Sequence, residues 1–91
     1  MPVNAIGMVE TRGMSGAIEA ANVMLNSNDI RILGKEKIGD GFVTVFVEGE
    51  FEPVKKAVEA GADSVRKVGE LISYNVIKDP HPQLKNLLPN K

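Results

Sequence analysis

The chain echoes itself once, and that echo restricts its fold more than any other feature. Val9-Glu10 is followed, seven residues after the acid, by Ala17-Ile18-Glu19-Ala20. Val47-Glu48 is followed, nine residues after its acid, by Ala57-Val58-Glu59-Ala60. In both halves a strand-like run leads into a segment whose apolar residues recur at helical spacing. A further strand after each helix makes the order βαβ-βαβ. That order fits the split βαβ, ferredoxin-like sandwich, an α+β fold with a four-stranded antiparallel sheet and two main helices on one face. The other sheet face stays open unless a partner or the C-terminal tail covers it.

Val3 to Glu10 reads as the first strand, with Gly7 its weak point. From about Gly13, Met14, Ala17, Ile18, Ala21, Met24 and Leu25 fall on one helix face and Ser15, Glu19, Asn22 and Asn26 on the other. Asn26-Ser27-Asn28-Asp29 stops that helix, and Ile30-Arg31-Ile32-Leu33 opens a second strand running towards Lys37. Gly39-Asp40-Gly41 makes a hairpin turn into Phe42 to Val47, which is apolar on both faces apart from Thr44 and so belongs inside the sheet. Pro53 suits the first turn of a second helix. Val54, Ala57, Val58, Gly61, Val65 and Val68 are its buried stripe. Lys55–Glu59 and Asp63–Lys67 are expected ion pairs on its solvent side, and Gly69 is its C-terminal stop. A last strand, Leu71 to Ile77, ends at Asp79-Pro80-His81-Pro82, where two prolines forbid a central strand. Gln83 to Leu88 is at most a short amphipathic helix.

Ninety-one residues make a single domain, 1–91, too small to bury more than about 60–65% of its unfolded surface, so subunit contacts are expected. Aromatics are only three Phe and one Tyr, leaving a core of Val, Ile, Leu, Met and Ala. Eleven basic against twelve acidic residues give a net charge of −1, which argues against nucleic acid or an anionic membrane as partner. With no cysteine, disulfides, thiolate catalysis and cysteine-ligated metals are excluded. The N-terminus lacks the pattern of a signal peptide, and no apolar run reaches bilayer length. A cytoplasmic protein is expected.

Convergent reactive groups are scarce, so no enzyme, metal or cofactor is expected. Gly39-x-Gly41 lacks the third glycine of a dinucleotide fingerprint, because position 44 is Thr, and a strand rather than a helix follows it. Gly34-Lys35 lacks the remaining parts of a P-loop. His81, the only histidine, sits between prolines as an exposed turn residue and makes a poor metal site alone. Ser15, Ser27, Ser64 and Ser73 have no histidine base near in sequence. Glu10 and Glu48 read as surface charge rather than as an acid–base pair.

More specific patterns run through the chain in order. Ala5-Ile6-Gly7-Met8-Val9-Glu10-Thr11-Arg12-Gly13 is followed by Ala17-Ile18-Glu19-Ala20-Ala21, then by Lys37-Ile38-Gly39-Asp40-Gly41 and Val43-Thr44-Val45. Val54-Lys55, Ala60-Gly61-Ala62, Val68-Gly69-Glu70, Val76-Ile77 and Pro80-His81-Pro82 continue them. Together they closely resemble bacterial microcompartment shell proteins of the single-domain, hexamer-forming kind, the propanediol/ethanolamine-utilisation and carboxysome shell type. The resemblance implies a homo-hexameric tile that joins other shell proteins edge to edge around encapsulated enzymes, which it meets directly or through their targeting peptides. It also implies a central pore for small polar metabolites, lined by Lys37, Ile38, Gly39, Asp40 and Gly41.

By this resemblance the pore's narrowest point is Asp40, where relatives commonly carry serine or glycine. Six carboxylates in a ring favour cations and hydrogen-bond donors and repel anions. The tile edge falls on Asn26, Asp79, Pro80 and His81. Relatives usually have lysine where this chain has Asn26 and arginine where it has Asp79, so weakened self-tiling is expected. The rival reading is a small-molecule-binding regulatory domain of the same topology, ACT-like or signal-transduction-like, which would be a dimer or trimer responding to a ligand.

Overall fold

A computed structural model describes residues 3–27 and 29–89. The elements are β1 (Ala5–Arg12), α1 (Met14–Leu25), β2 (Ile30–Gly39), β3 (Phe42–Gly49), α2 (Phe51–Val68) and β4 (Glu70–Lys78), followed by a 3-10 helix (Pro82–Leu87). The sheet order is β2-β3-β1-β4, with every neighbouring pair antiparallel. This is the α+β split βαβ arrangement expected from the repeat. The strongly apolar β3 lies inside the sheet, as its two-faced composition requires.

Both helices pack on the face carrying alternate residues of the central strands. Ala5, Val9, Val43, Val45 and Val47 join Ala17, Ala20 and Met24 of α1 and Val54, Ala57, Val58 and Val65 of α2 in one core. Each fully buried valine contributes about 1.5–3 kcal/mol relative to an exposed one. Close approach needs small residues at several places, among them two where α2 packs. A Cβ on Gly7 would lie 2.5 Å from Val58 Cγ2 and 2.8 Å from Val54 Cγ1. On Gly61 it would lie 3.0 Å from Met24 Cγ, where the two helices cross. Gly7 is therefore the seat of α2 on the sheet, not a weak point of β1.

Several sequence expectations change in detail. β1 starts at Ala5 and runs on to Arg12. The buried residues of α1 are Gly16, Ala17, Ala20 and Met24, while Ile18 and Leu25 are 55% and 46% exposed. With a single charged residue, Glu19, in its twelve, the helix offers two apolar faces, and spacing alone does not choose between them. Val68 leaves the α2 stripe and is 65% exposed. Asp63 pairs with Arg66, one turn away at i,i+3, rather than with Lys67. Gly69 ends α2 in an extended conformation rather than a left-handed one. The expected short C-terminal helix is present as a 3-10 helix, Pro82–Leu87. Of the turn after α1, Asn28 lies outside the described residues, as do Met1 and Pro2.

The face away from the helices is not bare. Ile6, Thr44 and Glu48 on it are 1%, 5% and 4% exposed. Asp79, Pro80, His81 and Pro82 wall a cleft over Ile6 and Glu48, so the chain beyond β4 folds over this end of the sheet. Glu48 is not the surface charge its sequence context suggested. Arg31 Nε donates to Glu48 Oε2 at 3.0 Å, and Arg31 Nη2 donates to the same oxygen. Glu10 lies four residues away along the sheet and accepts from Ser73 Oγ at 3.1 Å, so the two acids do not form a pair.

Candidate pore loop and tile edge

The β2–β3 hairpin closes on Asp40-Gly41, with Gly39 opposite Phe42. Asp40 has φ 54° and Gly41 has φ 82°, the signs required at both central residues of a type I′ turn. Asp tolerates the left-handed region better than most side chains, and glycine adopts it freely. Gly39 adds a third positive φ, 121°. The pairing slips between Lys37 and Gly39, leaving Ile38 as the extra residue of a bulge, 59% exposed. Within one chain, a Cβ on Gly39 or Gly41 would meet nothing within 4 Å. Their backbone conformation, not crowding, requires glycine there.

The loop is tied to the start of α1. Gly13 N–H donates to Gly41 O at 2.6 Å, and Thr11 Oγ1 donates to Gly13 O at 2.9 Å. A cleft of about 320 Å³ lies there between Gly13, Lys37, Gly39, Gly41 and Phe42. Asp40 stands outside it, exposed at the tip.

Register places the two predicted residue sets at opposite ends of the sheet. Ile30, Gly49, Ala5 and Lys78 form one terminal row, and Gly39, Phe42, Arg12 and Glu70 form the other. At about 3.3 Å per residue the rows are about 23–26 Å apart. Asp79 and His81 follow the first row, and Asn26 sits in the turn that enters it at Ile30. Asn26 is the C-cap of α1, its N–H donating to Asn22 O and Val23 O. Asp79 has φ 53°, and its N–H donates to Asn4 O at 2.7 Å. His81 is exposed, and its Nδ1 accepts from Gln83 N–H at 3.0 Å. Asp29, Glu50 and Asp79 adjoin the ends of β2, β3 and β4 here and outnumber Lys78 of the terminal row, so this end of the sheet is acidic. Of these acids the sequence pattern singles out Asp79 alone, because Asp29 and Glu50 are scattered along the chain.

Among the described residues no group of three or more His, Cys, Asp and Glu is arranged to hold a metal ion. Ser73 and Ser64 donate to Glu10 and Glu19, so neither is bonded to the histidine. No helix among the described residues is long and apolar enough to cross a membrane.

A family model, the BMC domain, matches residues 5–80, the whole sheet and both helices. The chain belongs to the bacterial microcompartment domain family. It is 47% identical over 89 residues to the bacterial microcompartment shell protein PduA of Citrobacter freundii, covering 98% of this chain and 96% of that one. The PduA of Salmonella typhimurium matches equally, 47% over 89 residues, with 98% and 95% covered. The major carboxysome shell protein CsoS1A of Halothiobacillus neapolitanus is 44% identical over 86 residues, with 93% and 88% covered. A crystal structure of a microcompartment protein from Desulfitobacterium hafniense superposes with a TM-score of 0.85 at 26% identity, covering 94% of this chain. This BMC-domain chain spans about half, 49%, of the length of that structure's chain.

Proposed function

We propose that this chain is a structural shell protein, not an enzyme, whose six copies form a tile of a cytoplasmic bacterial microcompartment. One observation carries the reading: end-to-end similarity at 44–47% identity to shell proteins named for two different compartments. A core of this size also leaves surface for neighbours to cover, including Ile18, Val68 and Leu87 at 55%, 65% and 77% exposure. In the tile, the hairpin end of each sheet faces the six-fold axis and the Asp79 end faces outward. Lys37, Ile38, Gly39, Asp40 and Gly41 then rim a pore for small polar metabolites. Asn26, Asp79, Pro80 and His81 meet the next tile, formed by this or another shell protein. Encapsulated enzymes or their targeting peptides are the remaining partners.

Multi-angle light scattering tests the assembly. The expected mass is six times the 9.8 kDa of the chain, unchanged by added metabolites. A dimer or trimer would overturn the tile and favour the ligand-binding regulatory domain instead.

The edge reading predicts how readily tiles join. Acidic rims repel when identical tiles meet, most strongly at low salt. Asn26→Lys with Asp79→Arg is expected to lower the concentration at which sheets form by about three- to ten-fold, as exposed charge pairs allow. Because Asp79 has φ 53°, Asp79→Asn with Asn26→Lys provides a version that keeps a left-handed-tolerant residue. Electron microscopy across a dilution series reads the outcome. Abundant sheets from the parent at the same concentration as the variants would remove Asn26 and Asp79 from this role.

A further inference from the structure

The type I′ turn fixes Asp40 relative to the ends of β2 and β3. Where that tip stands relative to the rest of the sheet depends on what holds the base of the hairpin. Arg12, the last residue of β1, lies opposite both Phe42 and Glu70, and the three form one row across β3, β1 and β4. Its Cζ stands 4.7 Å from the centroid of the Phe42 ring, and its Nε donates to Glu70 Oε1 at 2.8 Å. Phe42 is the first residue after the turn. One guanidinium thus holds the hairpin base against β4, on the sheet face away from the helices. The Gly13 N–H bond to Gly41 O, 2.6 Å, ties the loop to the entry of α1.

We propose that Arg12 is a positioning residue for the Gly39-Asp40-Gly41 loop, acting through a Phe42–Arg12–Glu70 clasp. The clasp stands on contacts within one chain, and only the purpose of holding Asp40 rests on the pore reading. Its chemistry is specific to arginine. The flat guanidinium stacks on a ring face while directing Nε–H at a carboxylate, whereas a lysine ammonium is a compact, strongly hydrated charge. Arg12 and Glu70 are half-exposed, at 50% and 59% of their side-chain surface, so the clasp biases the loop rather than locking it.

The absence of cysteine makes a single-site spin label straightforward. Ile38→Cys carries the label at the exposed bulge beside the loop, and Glu59→Cys carries it on the outer face of α2 as a control. In the assembled protein, Arg12→Lys and Phe42→Leu are each expected to raise the mobile fraction of the Ile38 label about two- to five-fold, the scale of one exposed stacking or ion-pair contact. Glu70→Gln should give a smaller rise. The Glu59 label should stay unchanged, which a general loosening of the fold would not allow. An unchanged Ile38 label in both Arg12→Lys and Phe42→Leu would overturn the clasp, as would an equal change at Glu59. If the Ile38 label responds as expected but parent hexamers pass cations and anions alike, the clasp stands and the selective pore falls.

Discussion

Gly7→Ala is expected to lower the unfolding free energy by about 1–3 kcal/mol, and Gly7→Val to leave little folded protein. The new Cβ would sit 2.5 Å from Val58 Cγ2 and 2.8 Å from Val54 Cγ1, with Val47 Cγ2 at 3.2 Å. Both helix contacts are valine methyls, and valine in a helix has essentially one χ1 rotamer, so neither can swing aside. Relief requires α2 to lift off the sheet, which opens the core around Val54 and Val58, each 0% exposed. Removing a glycine from a strand interior returns about 0.5–1 kcal/mol of backbone entropy, less than the clash costs. A chain of 91 residues has a total stability of about 5–14 kcal/mol, so the loss is a large fraction of it. Urea unfolding at fixed protein concentration measures this, since assembly couples to apparent stability. A Gly7→Ala midpoint equal to or above the parent's would refute the account of how α2 seats.

Why Gly7 could be misread illustrates what sequence carries here. β3 and α2 were legible because each has one consistent pattern: β3 is apolar on both faces, and α2 alternates a valine–alanine stripe with charged residues. The repeat of strand and helix then pointed to a four-stranded antiparallel sheet with two helices on one face. α1 resisted the same treatment, since Ile18 and Leu25, which it exposes, are as apolar as the residues it buries. Gly7 and Glu48 resisted it for another reason. Their meaning lies in partners from other elements, Val54 and Val58 for one and Arg31 for the other, that no local spacing announces.

The candidate site divides along the same line. Asp40-Gly41 between strand-forming runs signals a two-residue hairpin turn, and the observed φ values of 54° and 82° suit those residue types. The clasp below it joins Arg12 to Glu70 across 58 residues of sequence and becomes visible only once three strands are in register. The separation of the hairpin from Asp79 by the full length of the sheet is likewise a product of register. Assembly is a further step, because nothing in the geometry of one chain requires six. That step rests on the similarity to shell proteins.

In the proposed tile, the charge on Asp40 is expected to decide which ions cross. In Asp40→Asn hexamers the cation-to-anion permeability ratio should fall about ten-fold or more relative to the parent, the lower end of what focused like charges achieve in a confined cleft. Asparagine suits the test because Asp40 has φ 54°, a conformation that Asn also tolerates, so the turn survives while six charges vanish. Asp40→Lys should go further and invert the preference, although lysine accommodates that backbone less readily. Two features separate pore charge from general surface charge. The parent's selectivity should weaken as salt rises, because the Debye length shrinks from about 30 Å at 0.01 M to about 3 Å at 1 M. Neutralising Glu59, exposed on α2, should leave the ratio unchanged. Reversal potentials under a salt gradient, recorded with hexamers in a planar bilayer, supply the ratio directly. Equal ratios for parent and Asp40→Asn would take Asp40 out of the permeation path and return the Gly39-Asp40-Gly41 bend to the role it has in a single chain, a well-formed hairpin turn.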